Sequence, residues 1–212
     1  MNSCNPAFIE WGRRVGVDNF YTYIDKLGLT SKTGIDIAGE AGTIIHKKEN
    51  VGEVELATMS FGQSFQITPM QMLRAAAAIV NGGNLVTPHF AIRTCAADKT
   101  TYSEFSYSTT QEAVSKETSD TMKDILRQVV EEGGGKNAYI EGFSIGGKTA
   151  TSQKLPRGSG KYIASFIGFS DVTDPSVIAM CLIDEPQGVY YGGTIAAPVI
   201  RELYDNILPY MD

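Results

Sequence analysis

The residues of this chain best suited to chemistry lie in one stretch, GGKTATSQ, from Gly146 to Gln153. Read as a β-strand, it places Thr149 and Thr151 on one face and Lys148 and Ala150 on the other, because successive strand side chains point to opposite sides. Two hydroxyls on one surface can hold a substrate carboxylate, with the Lys148 ammonium supplying positive potential nearby. At a sheet edge, the free N–H groups of such a strand can pair with an extended peptide. One of them can also stabilise the oxyanion of a tetrahedral intermediate. A second polar group stands near the start of the sequence, where Ser3 and Asn5 flank Cys4 and can project from one loop. A hydroxyl there suits proton transfer and a carboxamide suits orientation, both of which depend on fixed geometry. Taken alone, Ser3 to Asn5 is an ordinary helix N-cap.

Helices and strands must hold these groups. Asn5-Pro6 reads as a helix start, with Asn5 free to cap and Pro6 at the first helical position, and a second short helix follows from Asp18 to Leu27. Thr33 to Glu40 reads as an extended surface segment. Thr68-Pro69-Met70-Gln71 combines an N-cap, a proline and a capping-box glutamine, so a helix runs from there to Val80 and stops at Gly82-Gly83. Helical spacing of Met122, Ile125, Leu126, Val129 and Val130 predicts another between Ser115 and Gly133. Ala97 to Ser108 is polar and aperiodic, a loop or short hairpin. Beyond Gly142 three strands are expected, Phe143 to Ser152, Tyr162 to Ser170 and Ser176 to Asp184, joined antiparallel by short turns. Val177 to Ile183 is apolar without alternation, as expected of a strand covered on both faces by helices. A closing helix spans Ala196 to Leu208.

Composition narrows the class. The chain has 212 residues, 42% of them hydrophobic, enough for one domain with its own core. A formal charge of −6 supplies no basic stripe for nucleic acid, and Lys154, Arg157 and Lys161 read as a solvated loop. Cys4, Cys95 and Cys181 form neither a disulfide framework nor a zinc pattern. His46 and His89 stand in separate segments as loop residues, so no metal and no cofactor is expected. Trp11, Tyr21 and Tyr23 read as packing residues, and Asp184-Glu185 as a strand end. Gln63 and Ser64, just before the capped helix, border the expected cleft. With neither a signal peptide nor a run of about 20 apolar residues, the chain as written is expected to be soluble.

Several blocks in order resemble the class B penicillin-binding proteins. Ser3-Cys4-Asn5 matches their Ser-x-Asn, and Lys148-Thr149-Ala150 their Lys-Thr-Gly with one letter changed. LGLTSKTGIDIAGE resembles the segment after Ser-x-Asn, and ATMSFGQSFQITPMQMLRAAAAIVNGG the central helix region. GKTATSQK with YIASFIGFS, DEP and YGGTIAAPVIRE resembles the final strands and helix. Lys32-Thr33-Gly34 matches the family triplet letter for letter but lacks the Thr-Ser-Gln continuation and the following strands, so it is read as a surface loop. The third family motif, Ser-x-x-Lys, carries the nucleophile, and no serine of this sequence is followed three residues later by lysine.

The resemblance implies an α+β penicillin-binding transpeptidase (β-lactamase-like) fold, an antiparallel sheet flanked by helices and incomplete in this chain. Residues 1–212 would be the C-terminal portion of one transpeptidase domain, helical over about 1–142, with strands and the closing helix over about 143–212. The implied activity is peptidoglycan D,D-transpeptidation through an acyl-serine, with stem peptides as substrates and β-lactams as inhibitors. By the same resemblance Ser3 relays a proton, Asn5 holds the substrate backbone, Lys148, Thr149, Ala150 and Thr151 bind substrate, and the Thr151 N–H donates to the oxyanion. The chain alone is then expected to be inactive, and to associate with itself or with a complementary N-terminal segment. The resemblance places the full protein on the extracytoplasmic side of the bacterial cell membrane, in division or in spore-cortex synthesis. The alternatives are a non-catalytic peptide-binding or partner-binding module of the same fold, and a serine β-lactamase. Ala150 either crowds the layer behind Lys148 or is tolerated as a small intrusion.

Overall fold

The structure is a computed structural model and describes residues 3–156 and 158–211. Helix α1 spans Asn5–Lys26 and is broken at Gly16, whose φ of 75° and ψ of 163° leave the helical region, so the two expected helices lie end to end. The cap is Cys4, not Asn5. Cys4 makes no side-chain cap bond, while its carbonyl accepts from the Ala7 and Phe8 N–H groups. Helix α2 (Glu53–Ser60) lies against α1 so closely that a Cβ on Gly12 would overlap the Ser60 hydroxyl. Contact through so small a residue leaves the flanking aromatics uncovered. Tyr21 is buried as expected, but Trp11 and Tyr23 are exposed, Trp11 packing only edge-on against Phe8 at 5.2 Å.

Helix α3 (Pro69–Val80) begins at the expected capping box, Thr68 Oγ1 accepting from the Gln71 N–H. Helix α4 (Lys116–Glu131) is capped by Ser115. Between them lie four short strands, β1 (Leu85–Val86), β2 (Arg93–Cys95), β3 (Tyr102–Glu104) and β4 (Thr109–Thr110), pairing β1 with β4 and β2 with β3. The hairpin therefore begins before Ala97. Thr33 to Glu40 is a folded loop and not an extended segment. The Glu40 carboxylate accepts from the Thr33 N–H and hydroxyl, both at 2.7 Å, and from the Gly34 N–H at 3.2 Å, which buries Thr33.

The main sheet is three antiparallel strands in the order β5 (Ile145–Gln153), β6 (Tyr162–Ser170), β7 (Val177–Asp184). The turn Gly192–Ile195 (α5) and helix α6 (Ala197–Ile207) close the chain. Phe166, Ile145, Val130 and Ala138 pack with Ile200 and Tyr204 of α6 on one sheet face. Phe169 and Ile178 pack with Ile79 and Val80 of α3 and Leu126 of α4 on the other. β7 is thus touched by helices on both faces as expected, but its residues are only partly buried, because no strand among the described residues covers its outer edge. No helix of the described residues is long and apolar enough to cross a membrane.

Candidate active site

The strand carrying GGKTATSQ is an edge strand, and its register decides which groups it presents. β5 and β6 pair Lys148 with Ile167, Ala150 with Ser165 and Ser152 with Ile163. The ladder continues past Gln153 with a Lys154 N–H to Lys161 carbonyl bond of 2.9 Å. Antiparallel hydrogen-bonded pairs alternate, so Ser152, Ala150 and Lys148 also turn their N–H and C=O groups inward to β6. Thr149, Thr151 and Gln153 turn theirs outward to the open edge.

The preceding glycines let the strand lie flat. A Cβ on Gly146 would enter the Phe169 ring, and one on Gly147 would stand 2.5 Å from Phe166 Cζ and 2.7 Å from the Ile167 carbonyl. Two aromatic rings therefore cover the strand where side chains are missing. Beyond them, side chains alternate as expected. Thr149 and Thr151 face the α5 turn, and Lys148, Ala150 and Ser152 face the opposite side.

On the threonine face, Thr151 Oγ1 accepts from the Gly192 N–H at 3.1 Å. Thr149 Oγ1 comes near Gly134 and its Cγ2 near Gly193. Any Cβ at Gly192 would overlap the carbonyls of Ala150 and Ser165, so Gly192-Gly193 is a close backbone approach as well as a turn. Asn137 Nδ2 donates to the Gly193 carbonyl at 2.7 Å, fixing that approach from outside. Gly192 falls in the YGGTIAAPVIRE block, whereas no sequence signal marks Asn137.

On the other face, Lys148 is half-buried, and its ammonium donates to the Thr149 carbonyl at 2.6 Å and to Thr149 Oγ1 at 3.3 Å. Burial pulls its pKa below the ordinary lysine value, and it makes no ion pair among the described residues. Ala150 is exposed, so its methyl crowds no layer behind Lys148. Ser152 Oγ accepts from Gln63 Nε2 at 3.1 Å, which brings the segment before α3 onto the strand.

Ser3 and Asn5 are exposed at the start of α1, Ser3 with a left-handed φ of 46°. Hydrogen bonds among the described residues join neither to Lys148 or Thr151; the wall on β5 and the Ser-Cys-Asn loop are held by separate elements. The residues set aside keep structural roles. His46 offers its carbonyl to the Tyr21 hydroxyl and His89 stacks on Tyr107 at 3.7 Å. Lys154 bonds Asp184 at 2.9 Å and Glu185 at 2.7 Å, and Lys161 bonds Glu185 at 2.9 Å. That basic pair is an ion-paired clip at the strand ends and not a solvated loop. Arg157, the third residue of the cluster, lies outside the described residues.

Comparison with known proteins agrees with this architecture. The family described as "Penicillin binding protein transpeptidase domain" matches residues 1–205. Stage V sporulation protein D of Bacillus subtilis is 42% identical over 214 residues, covering 99% of this chain and 33% of that protein. Peptidoglycan D,D-transpeptidase FtsI homolog of Mesostigma viride is 27% identical over 230 residues, covering 98% of this chain and 38% of that one. Penicillin binding protein 3 from Mycobacterium tuberculosis, solved in complex with aztreonam, aligns with a TM-score of 0.89 at 26% identity over 99% of this chain and 50% of its own. The chain therefore spans about a third of the length of these curated relatives and half of that solved chain. A family match from residue 1 to 205, on the α+β sheet and helices that the family's solved members share, means that the chain belongs to the penicillin-binding protein transpeptidase domain family.

Proposed function

We propose that this chain forms one wall of a peptidoglycan D,D-transpeptidase site and that the acylated serine is supplied by a polypeptide segment bearing Ser-x-x-Lys. The observation that carries the reading is the open edge of β5, where the Thr151 N–H points outward next to the Thr149 carbonyl and Lys148. In the proposed reaction the serine Oγ attacks the carbonyl carbon of the penultimate D-alanine of a stem peptide. The C–N bond breaks, D-alanine leaves with the serine's proton on its amine, and an ester remains. An amine of a neighbouring strand then attacks that ester, forming the cross-link and returning the proton to serine.

In that scheme the Thr151 N–H donates to the oxyanion, a stabilisation that follows from fixed donors aimed at developing charge. The Thr149 and Thr151 hydroxyls hold the terminal carboxylate, with the Lys148 ammonium adding positive potential. Ser3 relays the proton and Asn5 orients the substrate backbone. A penicillin follows the same first step, but its leaving nitrogen stays tethered and the ester persists. The 42% identity to Stage V sporulation protein D, against 27% to the FtsI homolog, supports a sporulation role over a division role. The site of action is the outer face of the bacterial cell membrane.

Labelling with a fluorescent penicillin tests the scheme. The 212-residue chain alone should stay unlabelled, and mixing it with a polypeptide carrying the family's Ser-x-x-Lys segment should give label on that polypeptide. Label on this chain alone overturns the assignment of the nucleophile. A second reading is a peptide-binding module of the same fold without turnover. Saturable binding of a D-alanyl-D-alanine peptide with no label in the mixture supports it over the first. Steady hydrolysis of the penicillin points to a β-lactamase.

A further inference from the structure

We propose that Gln63 is a positioning residue for the acyl-transfer site, clamping β5 through Ser152 so that the Thr151 N–H is held at one height on the open edge. The proposal rests on the reading of β5 as the substrate wall. Consecutive residues of β5 are gripped from opposite faces. Thr151 Oγ1 is bonded by Gly192 N–H at 3.1 Å, and Ser152 Oγ is bonded by Gln63 Nε2 at 3.1 Å, across 89 residues of sequence. The peptide between Thr151 and Ser152 is thereby fixed on both sides, although among the described residues no strand pairs with the outer edge of β5.

A clamp works only if its own base is rigid, and this one is built on the turn from Phe61 to Gln66. The Gln63 N–H donates to the Thr58 carbonyl at 3.0 Å and the Gly62 N–H to the Met59 carbonyl at 2.9 Å, closing the C-terminal end of α2 around Gly62 at φ 84°. Ser64, in the left-handed region at φ 67°, donates to Thr58 Oγ1 at 2.9 Å. Gln66 exchanges both backbone bonds with Ile44, at 2.8 and 2.9 Å. A non-glycine residue in the left-handed region is strained and persists where its surroundings over-determine it, typically beside a functional site. Ser64 adopts that conformation directly beside Gln63, within the same hydrogen-bonded turn.

The test uses two readouts. In the 212-residue chain, Gln63→Ala should speed amide exchange at Ser152, which pairs with Ile163 in the ladder, about tenfold, with α4 unaffected. In the assembled, penicillin-labelled domain, Gln63→Ala should lower the acylation rate constant about tenfold with little change in the preceding non-covalent affinity, the signature of lost transition-state geometry. Ser152→Ala should reproduce the loss, and the double variant should be no worse than either single one. Unchanged exchange at Ser152, or additive losses in the double variant, overturns the clamp. If the unsubstituted assembly is not labelled while Gln63→Ala still loosens β5, the transpeptidase reading fails and the clamp stands as structure only.

Discussion

Gly147 and Ala150 stand three residues apart on β5 and answer opposite constraints. Gly147 lies under the Phe166 ring with no room for a methyl, whereas Ala150 is exposed. Gly147→Ala should therefore destabilise the chain by about 2 kcal/mol, the usual cost of forcing an extra methyl into a packed layer. Ala150→Gly restores the family's letter at a place where the methyl is exposed. It should cost about 0.5 to 1 kcal/mol in strand stability and leave penicillin acylation of the assembled domain within about threefold. Thermal unfolding of the two variants checks the first pair of figures, and a large gain in acylation rate for Ala150→Gly contradicts the last. At this scale the sequence was legible where alternation rules apply: the faces of Thr149 and Lys148 came from period two alone. The outward N–H of Thr151 was not, since it depends on the pairing parity with β6, which only the Lys154 to Lys161 bond reveals.

Elements were read well when one local signal decided them. Thr68, Pro69 and Gln71 mark the start of α3, and the glycines and polar turns around the last three strands mark their limits within two residues. The same Gln71 shows what local signals hide. It is fully buried, its Oε1 accepts from the Thr68 N–H at 2.8 Å, and its Nε2 donates to the Ser31 carbonyl and the Thr43 hydroxyl, both at 2.7 Å. A capping box explains the first bond; the other two tie α3 to loops 28 and 40 residues upstream. Gln71→Leu keeps the volume but removes the side-chain partner of the half-buried Thr68 N–H and Thr43 hydroxyl and of the Ser31 carbonyl. At about 1 kcal/mol for each of the three lost hydrogen bonds, the loss should be about 3 kcal/mol. A fall in the urea midpoint measures it, and a loss below about 1 kcal/mol shows that water takes over those partners. Helix α1 failed in the opposite way. Its aromatics are spaced for packing, but contact with α2 runs through Gly12, so Trp11 and Tyr23 remain outside.

At the scale of the molecule, surface and charge govern what the chain does when alone. Its accessible surface is 12648 Å² at 22.9 kDa, against about 9,600 Å² expected for a compact monomer of that mass. The surplus is as large as a substantial protein interface, and part of it lies on β7, whose outer edge has no strand partner among the described residues and where Leu182 is exposed. Unpaired, flat, apolar edges template pairing with other chains. Repulsion opposes that pairing: the net charge is −6 at pH 7 and vanishes near the isoelectric point of about 5.0. As pH falls from 7 to 5 carboxylates lose charge and the repulsion weakens, so the chain should pass from weakly to strongly associated over that window. Sedimentation velocity at fixed concentration follows the change. Met180→Lys places a cation on the half-buried β7 edge beside Leu182 and should suppress association at both pH values. A sharp monomer peak for the unsubstituted chain at pH 5 would mean that the edge is protected by something other than charge.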